Sequence, residues 1–405
     1  MPKLLTIDDI DVNQKTVFVR VDINAPVDEN TKKLMKSERI EAHAKTIKEL
    51  SDKGAKVVVL AHQGRPCLYD FLPLSQHAVE LEKYIQKPVK YIDDIFGSAA
   101  RNAILSLNAG DILLLENVRF FSEEEKERSA EEQSKSIMID KLAPLADFFV
   151  NDAFSAAHRG HVSMIGFAPR IKTVAGRVME HELKSLEKAM ENPKRPSAYV
   201  LGGAKPDDSL KVMAHSLKNN TLDYALVCGV VGQLFLIADG IDLGTETMKY
   251  MQKKEHMKFL EKAKELLKDY KDKIIMPLDL AVEKNKQRVE IDVKDLPSEY
   301  STMDIGKKTV DAFLGIIKGA KSIMVNGPAG VYELSAFEYG TKELLNAVAE
   351  SDAFSLLGGG HTISAIDKFK IDTSKFSYIS LAGGALITYL TGKTFPIVEE
   401  FKKYA

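Results

Sequence analysis

Short apolar runs alternate with longer amphipathic segments along the 405 residues of the chain. The runs are rich in Val, Ile and Leu, and they predict ten strands, at 17–21, 57–61, 112–116, 148–151, 198–201, 225–228, 274–277, 322–326, 354–357 and 378–381. Nearly continuous apolar strands separated by helices are typical of parallel sheets that are covered on both faces. The pattern therefore predicts an α/β fold with two doubly wound domains.

One amphipathic segment stands between the two halves of the chain. Four apolar residues recur there at helical spacing, Met179, Leu183, Leu186 and Met190, and Asn192-Pro193 follows them. We expect a single helix that joins the domains and transmits a hinge motion, although an ordinary surface helix would carry the same stripe. The predicted divisions are 1–175 for the N-terminal domain, 176–192 for the helix, 193–385 for the C-terminal domain, and 386–405 for a segment that returns to the first domain.

Arginine and glycine are divided between the two halves. Six of the 25 glycines fall in residues 1–175 and 19 in residues 176–405, whereas arginines and histidines follow the strands of the first half, as at 20–26 and 62–66. Arginine side chains suit a small anion that carries phosphate and carboxylate groups. Backbone amides at glycine-rich helix N-termini suit the phosphates of a nucleotide. The division predicts two lobes with two different ligands.

Composition argues against several classes of partner. The net charge is −2, whereas a nucleic-acid-binding protein normally carries a strongly basic face. Two cysteines give no disulfide framework and fit a reducing compartment. Stretches free of charge fall short of the roughly 20 apolar residues that span a bilayer, and the first residues lack the apolar core of a secretory signal. We expect a cytoplasmic protein with no nucleic-acid or membrane partner, monomeric by default.

Eight motifs, taken in order, resemble those of the phosphoglycerate kinase family. They are VFVRVDINAP at 17–26, AHQGRP at 61–66, LLENVRF at 114–120, VNDAFSAAHR at 150–159, LGGAK at 201–205, DIGKKT at 304–309, VNGPAGVYE at 325–333 and LGGGHT at 357–362. The resemblance implies reversible phosphoryl transfer between ATP and 3-phosphoglycerate, giving 1,3-bisphosphoglycerate and ADP, in glycolysis and gluconeogenesis. It also implies that the N-terminal domain binds the acid and the C-terminal domain binds Mg-nucleotide, with the active site in the cleft between them.

The implied chemistry requires charge neutralisation rather than proton removal. The attacking carboxylate is already ionised at neutral pH, so no general base is needed, and catalysis depends on positioning and on cations. The resemblance implies that Arg39 and Lys205 are catalytic. It assigns the acid site to Asp22 and Asn24 at C2, to Arg39 along the carboxylate, to His62, Arg65, Arg119 and Arg159 on the remote phosphate, and to Ile23, Gln63 and Gly64 beside them. It assigns the nucleotide site to Lys205, Asn326, Pro328, Glu333 (on the ribose), Gly359, Gly360, His361 and Thr362.

Several of these residues have a structural alternative. Arg119 would also suit an ion pair with Glu116 or with the acidic run that follows it. Two histidines, His158 and His161, are weak evidence for a metal site, and we expect His161 to be structural. Arg20 points away from the face of Val21, which favours an ion pair between the lobes or at the edge of the core. The triple glycine at 358–360 would also suit a tight packing turn, and Asp22 and Asn24, two residues apart, are expected to share a strand face.

Three positions depart from the family pattern. His361 replaces an aspartate associated with magnesium, and since neutral imidazole is a poor ligand for a hard cation, we expect Mg²⁺ to be held mainly by nucleotide phosphates and water, with no metal ligand from the protein. Ser209 replaces a second lysine, for which Lys211 or Lys307 would compensate. The segment Leu381-Ala-Gly-Gly384 replaces a threonine followed by three glycines. These substitutions resemble the archaeal branch of the family.

Rival functions fit the sequence less well. An NAD-dependent dehydrogenase would place G-x-G-x-x-G after an early strand, and Gly229-Val-Val-Gly232 lacks that spacing. A nucleotidase of the Walker type is excluded at Gly392-Lys-Thr394, because Ile387 stands where the opening glycine of the loop belongs. A non-catalytic relative of the kinase that binds nucleotide or phosphate stays open, because His361 and Ser209 depart from the family pattern.

Overall fold

The structure, a computed structural model, describes residues 4–380 and 382–403, with the backbone alone at 190 and 191. The chain divides into two compact units. One runs to Leu183 and includes the segment from Lys393 onward, and the other is Lys184–Gly392. No helix among the described residues is long and apolar enough to cross a membrane.

The first unit is built on a parallel sheet of six strands in the order β3-β4-β2-β1-β5-β6. Successive strand residues alternate between two apolar clusters, so that Val17 and Val19 enter one and Phe18 enters the other. Both faces are therefore covered, as the apolar runs predict. The strands are β1 Thr16–Arg20, β2 Lys56–Leu60, β3 Lys90–Tyr91, β4 Ile112–Leu114, β5 Phe148–Asn151 and β6 Thr173–Ala175, and the helices are α1 Glu38–Asp52, α2 Ser75–Ile85, α3 Ser98–Leu105, α4 Ala130–Gln133, α5 Ile137–Leu142 and α6 Val162–Ile165.

The boundary between the units falls within the next helix, α7 Arg177–Leu186, which continues as a π-helical turn over Glu187–Glu191. Met179, Leu183 and Leu186 of the predicted stripe are buried, whereas the side chain of Met190 lies outside the described part. The helix starts on the first unit, where the Arg177 guanidinium lies 2.6 Å from carboxylate oxygens of both Asp8 and Glu49.

The second unit contains another parallel sheet of six strands, in the order β15-β14-β13-β7-β8-β9, and a sheet of three antiparallel strands in the order β11-β10-β12. The strands are β7 Ser197–Leu201, β8 Tyr224–Val227, β9 Ile274–Ile275, β10 Asp279–Lys284, β11 Gln287–Asp292, β12 Thr302–Ile305, β13 Ser322–Asn326, β14 Phe354–Gly358 and β15 Tyr378–Ile379. The helices are α8 Pro206–Lys218, α9 Gly229–Ala238, α10 Thr245–Lys253, α11 Leu260–Tyr270, α12 Lys307–Gly319, α13 Tyr339–Glu350, α14 Gly360–Phe369 and α15 Gly384–Leu390. The last helix, α16 Pro396–Lys402, lies on the first unit, where Phe395 packs its ring 5.4 Å from that of Phe154.

The predicted α/β class with two parallel-sheet domains is confirmed, and each of the ten predicted strands is present, although position 381 lies outside the described residues. The antiparallel sheet was not predicted. Strands β10 and β11 form a hairpin around Asn285 and Lys286, which both have positive φ (52° and 62°) and so make a two-residue hairpin turn. Strand β11 is mostly polar and partly exposed, so it carries no apolar run for the sequence pattern to detect.

Candidate active site

In the first unit, the loops that follow β1 and β2 are locked together at the carboxyl ends of the strands. Asn24 accepts a hydrogen bond at Oδ1 from the Gly64 amide (2.8 Å), and buried Gln63 binds both the amide and the carbonyl of Ala25 (2.9 and 3.0 Å). A side chain at Gly64, where φ is 66°, would collide with the Asp70 carbonyl. Ile23 and Gln63 are wholly buried, and the Gln63 amide and carbonyl both bind the side chain of Asn117 (3.3 and 2.8 Å), so these two residues support the surface from beneath.

Asp22 and Arg39 form an ion pair at this surface. Arg39 Nη1 lies 2.6 Å from Asp22 Oδ2, which also accepts from Ser155 Oγ, while Oδ1 accepts from the Asn24 amide (3.1 Å). Burial alone would raise the pKa of Asp22, but the charge of Arg39 and the hydrogen bond from Ser155 hold it below its ordinary value. The expectation of a shared strand face is wrong here, because β1 ends at Arg20 and the Asp22 carboxylate instead caps a turn.

Arg20 lies wholly inside the first unit, only 1% exposed. Its Nε donates to Ser163 Oγ (2.8 Å), its Nη2 lies 3.0 Å from His62 Nδ1, and its Nη1 donates to the Val21 carbonyl. The expected ion pair between lobes or at the core edge is therefore wrong. The guanidinium turns inward because the interior supplies its acceptors.

The remaining cations of the acid site differ in their partners. Arg119 is buried, donates to the Gly64 carbonyl and lies 3.0 Å from Glu125 Oε1, so it pairs with the acidic run, as the structural alternative predicts. Arg65 is exposed and has no ion pair among the described residues, and Arg159 is half-buried. Burial, followed by the charges of Arg159 and Arg65, lowers the pKa of Arg119, whereas Glu125 raises it. Because Arg65, Arg119 and Arg159 repel one another, an anion that binds among them relieves the repulsion.

Glu116 and His161 serve the scaffold. Glu116 accepts from the Leu74 amide (2.9 Å) and from Tyr91 Oη (2.6 Å), and does not pair with Arg119. His161 Nε2 lies 3.3 Å from Glu127 Oε1, and burial, with Arg159 next in importance, lowers the pKa of His161 to about 3. Among the described residues, no group of three or more His, Cys, Asp and Glu could hold a metal ion.

In the second unit, the glycine segment after β14 opens a helix, as predicted. Gly359 has φ of 89°, and a side chain there would come within 2.9 Å of Asn326 Oδ1. Thr362 Oγ1 accepts from the Gly327 amide at 2.9 Å, which ties this turn to the end of β13. The first amides of α14 have no acceptor within the helix and lie at its positive end, which suits them to a phosphate.

A cavity of about 370 Å³ lies beside these turns. It brings together three of the predicted residues, Pro328, Glu333 and His361, with apolar walls that include Leu280 and Val331. The other predicted residues are outside its lining: Lys205 is exposed one residue after lining residue Ala204, and Asn326, Gly359, Gly360 and Thr362 form the adjoining turns. An apolar cleft with polar groups at its edge and helix N-termini nearby suits a nucleotide.

Comparison with known proteins decides the family. A family model named phosphoglycerate kinase matches residues 7–393. Phosphoglycerate kinase from Methanothermobacter thermautotrophicus is 46% identical to this chain, and the match covers 98% of the chain and 96% of that relative. Phosphoglycerate kinase from Methanothermus fervidus is 43% identical, and the match covers 100% of the chain and 98% of that relative. This chain belongs to the phosphoglycerate kinase family. The crystal structure of phosphoglycerate kinase from Pyrococcus horikoshii OT3 matches it with a TM-score of 0.89 and 38% identity over 99% of both chains.

A second solved phosphoglycerate kinase, from Coxiella burnetii, matches with a TM-score of 0.83 and 31% identity over 100% of both chains. The curated relatives that are 41–47% identical to the chain are mostly archaeal, in agreement with the resemblance drawn from the sequence.

Two departures from the phosphoglycerate kinase pattern can now be placed. Ser209 is fully buried in α8, and its hydroxyl has no hydrogen-bond partner among the described residues. Of the two lysines proposed to compensate, Lys211 pairs with Asp207 one turn away, whereas Lys307 is exposed at the start of α12 with no ion pair in the described part. His361 is 72% exposed, with Nδ1 3.7 Å from Glu333 Oε1.

Sequence reasoning missed one wall of the phosphoglycerate kinase cavity. Gln233, Thr247, Tyr250 and Asp304 line it. Gln233 and Thr247 are both held by Thr302, through contacts of 2.8 and 3.2 Å. These residues come from α9, α10 and the antiparallel sheet. Only the DIGKKT motif, which begins at Asp304, offered a signal, since the others depend on how α9 and α10 pack.

Proposed function

We propose that this protein is a phosphoglycerate kinase, which transfers a phosphoryl group reversibly between ATP and the carboxylate of 3-phosphoglycerate to give 1,3-bisphosphoglycerate and ADP. The observation that carries the proposal is the family match over residues 7–393, with relatives of that name covering nearly the whole chain. The cation cluster of the first unit and the glycine-lined cavity of the second supply the two kinds of site that this reaction needs.

On the first unit, we assign the remote phosphate of the acid to His62, Arg65, Arg119 and Arg159. Arg65 is exposed without an ion pair in the described part, so it is free to bind. Arg119 lies 3.0 Å from Glu125, and binding phosphate requires it to share or exchange that partner. The planar guanidinium of Arg119 can form paired hydrogen bonds with a carboxylate, such as that of Glu125, and equally with a phosphate.

Asp22, Asn24 and Arg39 form the part of the acid site nearest the reacting group. Asp22 and Asn24 are assigned to C2, and Arg39 to the carboxylate and the transferring phosphoryl group. The 2.6 Å contact with Asp22 orients Arg39, so the cation is already in place before the anions arrive. The carboxylate attacks without a general base.

On the second unit, Glu333 is assigned to the ribose hydroxyls, the first amides of α14 to phosphate oxygens, and Lys205 to the phosphates as they transfer. Lys307 is assigned the role of the cation that Ser209 does not supply. Asp304, which lines the cavity together with Glu333, is bound at Oδ2 by Arg288 (2.8 Å) and the Gly340 amide (2.9 Å), while its buried Oδ1 has no hydrogen-bond partner among the described residues. These two carboxylates are too few for a magnesium cage built by the protein alone, and Mg²⁺ is assigned mainly to the nucleotide phosphates and water.

A coupled assay tests the proposal. ATP, Mg²⁺ and 3-phosphoglycerate are supplied, and 1,3-bisphosphoglycerate is detected through NADH oxidation by glyceraldehyde-3-phosphate dehydrogenase. We expect turnover that depends on all three components. Turnover that does not require 3-phosphoglycerate would contradict the assigned acceptor. Absence of turnover with both ligands bound in calorimetry would instead support a non-catalytic relative.

A further inference from the structure

A line of buried polar groups runs beneath the acid site of the first unit. Glu124 binds Ser163 twice, through Oε1 to the hydroxyl (2.6 Å) and through Oε2 to the amide (2.9 Å). Ser163 Oγ lies 2.8 Å from Arg20 Nε, and Arg20 Nη2 lies 3.0 Å from His62 Nδ1. All four residues are buried, between 0% and 8% exposed, so water does not compete for these hydrogen bonds.

The donors in this line can be assigned from the chemistry of its members. A guanidinium only donates, so Ser163 Oγ accepts from Arg20 and its own single proton goes to Glu124. For the same reason His62 Nδ1 accepts from Arg20 and carries no hydrogen. The hydrogen of a neutral His62 ring must then be on Nε2, at the opposite edge of the imidazole.

We propose that Arg20 is a positioning residue that holds His62 as a neutral imidazole protonated at Nε2, so that Nε2–H donates to an oxygen of the bound acid. Ser163 and Glu124 hold the Arg20 guanidinium in place, and Glu124 balances its charge when it is ionised. This inference depends on the proposed function for the identity of the acid, but the state of His62 follows from the protein alone.

The surroundings of His62 favour the neutral ring. Burial, together with the positive charges of Arg20, Arg119 and Arg159, holds the pKa of His62 well below its ordinary value, and Asp22 alone among the main influences raises it. The other neutral tautomer would point two N–H groups at each other across the 3.0 Å contact with Arg20. His62 therefore supplies a directed hydrogen bond, and the neighbouring arginines supply the charge.

The first test reads the His62 ring directly, without ligand or turnover. The full-length protein is labelled with ¹⁵N-histidine, and the two ring nitrogens of His62 are identified as the signals lost in His62→Gln. We expect Nδ1 to give the signal of an unprotonated ring nitrogen and Nε2 that of a protonated one, unchanged between about pH 8 and pH 5.5, roughly a unit below the ordinary histidine pKa. A hydrogen on Nδ1, or a charged ring at neutral pH, would overturn the proposal.

The second test separates the two edges of the ring. A glutamine amide at position 62 can place its N–H₂ near the position of Nε2, whereas an asparagine amide reaches only the position of Nδ1. We expect the KM for 3-phosphoglycerate to rise at least about tenfold more in His62→Asn than in His62→Gln, the scale of one hydrogen bond to a charged group, with the KM for ATP unchanged in both. Equal effects, or the reverse order, would overturn the proposal.

Arg20→Lys tests the positioning role itself, since it keeps the charge and removes the planar fork of donors. We expect the His62 signals of this variant to show a mixture of tautomers or a titration that is absent in the unmodified protein. If Arg20→Lys does not fold, the ring signals of the unmodified protein still decide the question. If the unmodified protein shows the Nε2–H ring but does not bind 3-phosphoglycerate, the proposed function fails while the assignment of Arg20 stands.

Discussion

Replacing Arg39 by alanine should destabilise the first unit as well as stop catalysis. Arg39→Ala removes the guanidinium 2.6 Å from Asp22, whose side chain is 3% exposed. Removing one partner of a fully buried ion pair costs about 3–5 kcal/mol. Here the Arg39 side chain is 32% exposed and Asp22 keeps its bonds from Ser155 and the Asn24 amide, so we expect a loss of about 2 kcal/mol, the scale of one hydrogen bond to a charged group.

A double-mutant cycle with Asp22→Asn measures the pair. In that background Arg39→Ala should cost less than about 0.5 kcal/mol, because no buried charge is left unpaired, which gives a coupling of about 1.5 kcal/mol. Hydrogen exchange of the β1 and α1 amides reports the stability of the first unit, since two units need not unfold together. Additive effects of the two substitutions would refute the reasoning.

Arg65→Ala is the matched control, because Arg65 is exposed and has no ion pair in the described part. Its effect on stability should stay within about 0.5 kcal/mol, while the KM for 3-phosphoglycerate rises. Arg39→Ala should lower turnover by several orders of magnitude, far more than it weakens nucleotide binding. An unchanged rate in Arg39→Ala would contradict its role in transfer.

Three further predictions concern the nucleotide site and the buried acid. Glu333→Gln should raise mainly the KM for ATP in steady-state kinetics, and an effect confined to the KM for 3-phosphoglycerate would refute the ribose assignment. Lys307→Ala should lower kcat while Lys211→Ala, whose lysine pairs with Asp207, leaves it nearly unchanged; equal effects would exclude Lys307 as the replacement cation. Burial raises the pKa of Glu124 from 4.5 to about 7, even though Arg20 and the hydrogen bonds from Ser163 lower it. The folded state therefore binds the Glu124 proton more tightly than the unfolded state does. The contribution of Glu124 to the free energy of unfolding should fall by about 3 kcal/mol as the pH rises from 4.5 to 7. Glu124→Gln should remove that part of the pH dependence, and a difference between the two proteins that is the same at pH 4.5 and pH 8 would contradict it.

Much of the fold could be predicted because its signals are local. The run at 57–61 is apolar along its whole length and rich in valine, as expected of a strand that is covered on both faces. The helix start at Gly360 could be predicted in the same way, from glycines directly after a strand. Strand β11 is mostly polar, so the antiparallel sheet had no comparable signal.

The sequence alone therefore determined the two parallel sheets, the types of side chain at their carboxyl ends and the family, because each of these has a signal within a short contiguous segment. Only the tertiary structure decided which charges meet. Arg20 reaches His62 across 42 positions and Asp22 reaches Arg39 across 17, whereas Arg119 pairs with Glu125 rather than with Glu116. Such pairings depend on how the crossovers between strands place their side chains and on which acceptors are buried nearby, and spacing along the chain specifies neither.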